Sequence, residues 1–87
     1  MTGMAEGRLA ADPRLWPVPT AGLLTVEWPQ HVGFRAEVFD ALGRKLSDHE
    51  AHGEAVQLEV GSYGPGVYMA RLSVGGSFTM ERFVVQR

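Results

Sequence analysis

No cysteine occurs in the 87 residues, so neither a disulfide nor a thiolate metal centre can hold or equip this chain. One-sided charge is missing too. Eight basic and 10 acidic residues are spread along the chain, with a net charge of -2, which supplies no basic stripe for a nucleic-acid backbone and no polybasic anchor for a membrane. No apolar run is long enough for a helix that crosses a bilayer. Helical periodicity is absent over any useful length. The opening "MTGMAEGRLAADPRLWPVPTAG" lacks the apolar stretch of a secretory leader. A role outside the cytoplasm would therefore make this chain a fragment or one end of a longer precursor. A single small domain is the expectation, burying about 60–65% of its unfolded surface.

What is present is a period of two. Leu24, Val26 and Trp28 alternate with Thr25 and Glu27; Phe34, Ala36 and Val38 alternate with Arg35 and Glu37. Val56, Leu58 and Val60 form a third series, and Tyr68, Ala70, Leu72 and Val74 a fourth. This is the pattern of strands with one buried face. Residues 1–13 are rich in glycine and alanine and read as linker or tag, leaving 14–87 as the domain. Pro13, Pro17 and Pro19 impose an extended segment in which Trp16 is expected to anchor into the core.

Turn chemistry falls between the apolar series. In "DALG", Asp40 suits an Asx-type turn and Gly43 a positive φ. Gly75-Gly76 suits a two-residue hairpin. "SDHEAHGE" is the most polar stretch and the expected mobile loop. Together these features predict an all-β fold, an antiparallel β-sandwich of about seven short strands. Tyr68, just after the "GSYGPG" corner, is placed to bond its hydroxyl back to the backbone, with Gly66 allowing the turn. The last strand is irregular. Phe78 and Met80 share one parity, Phe83 and Val85 the other, which calls for a bulge near Glu81-Arg82 or cover on both faces.

Residues that could carry chemistry are few. "DHEAH" (residues 48–52) spaces its histidines three apart, whereas the zinc motif needs them four apart on a helix. Ser47, Ser62, Ser73 and Ser77 have no nucleophile elbow around them. The glycine-rich "GSYGPG" leads into a strand, not a helix that could hold a phosphate. Catalysis is not expected, nor is a cofactor or a metal.

Four blocks in order give a more specific pointer. They are "WPVPTAGLLTVEW" (16–28), "AEVFDALGRKL" (36–46), "GPGVYMARL" (64–72) and "GGSFTMERFVVQR" (75–87). Together they resemble the type A C-terminal sorting domain of the type IX secretion system in Bacteroidetes, across nearly the whole of residues 14–87. Val18 departs from the asparagine usual in the family's first turn. The resemblance implies an immunoglobulin-like sandwich fused behind a cargo protein. It implies passage through the periplasm, recognition by the outer-membrane translocon, removal by a sortase-like protease, and delivery of cargo to the cell surface or beyond. It also implies that Pro17, Pro19, Gly22, Asp40, Gly43, Arg44, Gly66, Val67 and Tyr68 are the structural motif. Thr79, Arg82, Phe83, Val84, Val85 and Arg87 become the candidate recognition positions. An edge strand there would suit β-augmentation by a receptor and would allow a weak homodimer. Two other readings stand beside it. One is an immunoglobulin-like accessory module, of the flagellar hook-capping or carbohydrate-facing kind, without a sorting role. The other is a small hydrolase or metal binder using the "DHEAH" loop.

Overall fold

In the computed structural model, which describes residues 12–86, each alternating series becomes a strand. The strands are β1 (Arg14–Trp16), β2 (Leu23–Glu27), β3 (Arg35–Phe39), β4 (Lys45–Glu50), β5 (Ala55–Glu59), β6 (Gly66–Val74) and β7 (Ser77–Val85). They form two antiparallel sheets, β1-β2-β5 and β4-β3-β6-β7. The chain crosses between the sheets after β2, β4 and β5, as in immunoglobulin-like sandwiches. Leu24, Val26, Leu58 and Val60 from the first sheet meet Ala36, Val38, Ala70, Leu72, Phe83 and Val85 from the second, all fully buried. Trp28 and Phe34 close one end edge-to-face, with centroids 5.7 Å apart.

Two turns behave as their residues require. Asp40 Oδ1 accepts the N–H groups of Leu42 and Arg44, both at 2.9 Å, and Gly43 sits at φ +86°. These bonds, above all that from the Arg44 N–H, hold the Asp40 carboxyl below its ordinary pKa. Gly75 lies at φ +60° between Val74 and its partner Ser77, the sign expected of a II′ hairpin with glycine first.

Two sequence expectations are corrected, and the question of a bulge in the last strand is decided. Trp16 is not a core anchor. It pairs with Thr25, whose side chain faces outward, so Trp16 is 43% exposed, while Leu15 beside buried Val26 packs on the core. "SDHEAHGE" is not a loop throughout, because residues 47–50 belong to β4. Paired charges make that polar strand viable. Asp48 takes the Arg35 Nε at 2.9 Å and the Lys45 Nζ at 2.8 Å, and its carboxyl is pulled well below the usual range, chiefly by Arg35. Finally, β7 has no bulge at Glu81-Arg82. Its register with β6 runs unbroken from Ser77 to Val85, and the sheet's register shift lies instead between Val38 and Phe39 of β3, against β4.

Candidate recognition strand

β7 lies at the edge of its sheet, with β6 as its neighbouring strand. The two-residue turn determines which backbone groups are spent. Odd-numbered residues of β7 direct their N–H and C=O toward β6, and even-numbered residues direct theirs away. Thr20 makes the second set visible. Its N–H donates to the Val84 carbonyl and its carbonyl accepts the Gln86 N–H, both at 2.9 Å, in a short parallel bridge. Thr20 is itself buried and braced by its hydroxyl, which donates to the Leu23 carbonyl at 2.5 Å. The far end of β7 is thus covered. Phe78, Met80 and Arg82 keep their outward backbone groups open along roughly 14 Å of edge. Among the described residues nothing else pairs with that side.

Side chains follow the same parity. Phe83 and Val85 point inward, and Phe83 stacks on Tyr68 at 5.7 Å. Thr79 is half-buried and its hydroxyl bonds the Glu81 carboxylate at 3.1 Å. Val84 is half-buried and Arg82 exposed on the outer face. Of the candidate recognition positions, then, Arg82 and Val84 face outward. Phe83 and Val85 are core residues, and Arg87 lies outside the described residues. The expected linker over residues 1–13 likewise lies almost wholly outside them.

The motif positions cluster away from this edge. Tyr68 donates its hydroxyl to the Gly64 carbonyl at 2.5 Å, the corner bond expected from its place in the sequence. Val67 is exposed on the outer face of β6. Gly66 has φ +154°, and Pro17 and Pro19 follow cis peptide bonds. The Gly22 carbonyl accepts the Val60 N–H at 2.8 Å, and a Cβ on Gly61 would lie 3.6 Å from the Gly22 Cα, so the chain passes closely here. Arg44 caps its own turn through its Nε, 2.9 Å from Asp40 Oδ2.

This sandwich, its Asp-turn-Gly-Arg block and its closing hairpin correspond over residues 14–86 to a known pattern, the secretion system C-terminal sorting domain. The chain belongs to that family. It is therefore a type IX secretion sorting signal. As a sorting domain it is recognised by that secretion system and attached to a cargo protein, which it directs to the cell surface or outside the cell. A solved structure of similar fold is PorZ, an essential bacterial surface component of the type-IX secretion system of human oral-microbiomic Porphyromonas gingivalis. The two are 22% identical with a TM-score of 0.73, and the match covers 86% of this chain and 11% of that one. No curated protein matches the chain.

The sorting domain's "DHEAH" segment shows no ligand cluster. Strand alternation exposes Asp48 and Glu50 and leaves His49 half-buried, with its Nε2 3.0 Å from Ser47 Oγ. Among the described residues no three histidine, aspartate or glutamate side chains gather as metal ligands. Sequence reasoning missed three residues near the recognition strand: Thr20, Phe78 and Met80. Only the mismatch in parity between residues 78/80 and 83/85 hinted at the last two.

Proposed function

We propose that the domain is recognised through the open edge of β7, by addition of a receptor strand along residues 78–82. The observation that supports this is the set of outward backbone groups at Phe78, Met80 and Arg82 beside an end already covered by Thr20. An unpaired edge of this kind is a ready template for β-augmentation, in which main-chain bonds supply affinity and alternate side chains supply specificity. The domain acts by docking, without catalysis of its own. Its cargo precedes it, crosses the periplasm with it, and is freed by a sortase-like protease cutting in the linker before Trp16.

The test is a secretion assay. The full 87-residue chain is fused behind a signal peptide and a fluorescent reporter in a Bacteroidetes cell, with and without a working type IX translocon. Surface or medium signal is expected only with the translocon. A second fusion ending at Thr79 removes most of β7 and should stay in the periplasm. Equal export of that truncated fusion would refute the role given to β7.

A further inference from the structure

The outer face of the β4-β3-β6-β7 sheet divides into two unlike halves. On β3 and β4 the charges satisfy one another. Glu37 lies 3.0 Å from the Lys45 Nζ and 3.7 Å from Arg35, and Asp48 pairs with both cations. On β6 and β7 the pattern is inverted. Thr79 and Glu81 take the inner parity, while Phe78 and Met80 face water, 57% and 43% exposed. Arg71 lies opposite Met80 and Arg82 opposite Met69 on that same face. The Arg71 guanidinium sits over the Phe78 ring, 4.5 Å from its centroid. Among the described residues neither Arg71 nor Arg82 forms an ion pair. Glu37 of β3, directly opposite Arg71, is already engaged by Lys45 and Arg35.

These side chains stand on the strand pair whose open edge ends at Phe78, Met80 and Arg82. We infer that this half of the face is the docking surface for an acidic, extended segment of a partner protein. That segment lies alongside β7, with apolar side chains against Phe78 and Met80 and carboxylates toward Arg71 and Arg82. The inference rests on the reading of β7 as the recognition strand and adds the chemistry of its partner. A strand pairing with residues 78–82 places alternate side chains directly beside Phe78, Met80 and Arg82 on the outer face. Two guanidinium groups with no ion-pair partner among the described residues favour carboxylates there and repel a basic segment. Thr20 sets the limit of the added strand, which must stop before Val84. Glu81, a charge on the inner side of an edge strand, opposes indiscriminate pairing.

The test uses the full chain in the reporter fusion and, separately, as purified protein. Two double variants are compared with the unaltered chain: Phe78→Ser with Met80→Ser, and Arg71→Glu with Arg82→Glu. Each should cut translocon-dependent surface signal by roughly tenfold or more, as expected when an anchor or its charge partner is lost. Their melting midpoints should stay near that of the unaltered chain, because the positions are exposed. Arg71→Lys with Arg82→Lys should keep most of the export. If a double variant melts early, the single substitutions Phe78→Ser and Arg82→Glu are read in its place. Export of the folded Ser variant at the unaltered level overturns the docking surface. Undiminished export of the Glu variant, or equal loss from the Lys variant, overturns the acidic partner. A dimer of the purified chain that the Ser variant dissociates, with export unchanged, assigns the face to a second copy and overturns the inference. Failure of the unaltered fusion to respond to the translocon is a different result. It removes the sorting reading itself, and this inference with it.

Discussion

Replacing Tyr68 by phenylalanine isolates one bond. The Tyr68 ring is packed between Tyr63, with centroids 5.4 Å apart, and Phe83, at 5.7 Å, and the substitution keeps both stacks. It removes only the hydroxyl that donates to the Gly64 carbonyl. A neutral hydrogen bond of this kind contributes about 0.5–1.5 kcal/mol net. Gly64 is exposed, so water can replace the lost donor at its carbonyl, and the larger penalty of a stranded buried group does not apply. The expected loss is therefore about 1 kcal/mol. In a chain of this size that corresponds to a fall of about 4–8 °C in melting midpoint. Calorimetry of the full chain gives the midpoint, and urea unfolding with an unchanged slope would confirm that the folded state alone is affected. Tyr68→Ala, which also deletes the ring, should cost about 3–5 kcal/mol. A phenylalanine variant melting within about 1 °C of the unaltered chain would contradict this scale. The corner bond would then contribute nothing to the stability of the β5–β6 corner. Export of the phenylalanine variant should persist, since the β7 edge is untouched.

Two further outcomes follow from the turns and the charges. Gly43→Ala should destabilise by about 1–2 kcal/mol, entirely through its positive φ, because nothing lies within 4 Å of an added Cβ. Gly76→Ala, also in open space but without a positive φ, should cost distinctly less, and equal costs in thermal melts would refute this account. Stability should also fall in acid. The Asp40 and Asp48 carboxyls titrate below their ordinary value of 3.8 in the folded chain. Below about pH 4 the unfolded chain therefore binds more protons than the folded one. The two contributions are complete above that pH and are lost as it falls toward the depressed folded values. Urea midpoints measured from pH 6 downward should show the decline, and Asp48→Asn should flatten it. An unchanged slope in that variant would remove Asp48 from the explanation.

The sandwich was legible in the sequence because one-sided burial leaves a period of two, and four such series sit between turn residues. The turn at Asp40, the glycines at 43 and 75 and the Tyr68 corner were legible for a similar reason, since each is a local geometry that few residue types allow. Arg35 and Asp48 are 13 residues apart, and only sheet formation makes them partners, so the polar segment around Asp48 read as a loop. Trp16 read as a core residue because its size is a property of the residue, whereas its direction depends on register against β2. The parity break in β7 was visible, but its resolution was not. A bulge, a strand covered on both faces and an outward-facing Phe78 and Met80 leave the same trace in one dimension. The unbroken β6–β7 register removes the bulge, and the exposure of Phe78 and Met80 shows that their face is not covered. Thr20 is the clearest case of a tertiary decision. Its backbone groups carry no sequence signal, yet by pairing with Val84 and Gln86 they determine which part of the terminal strand stays covered and which part stays open.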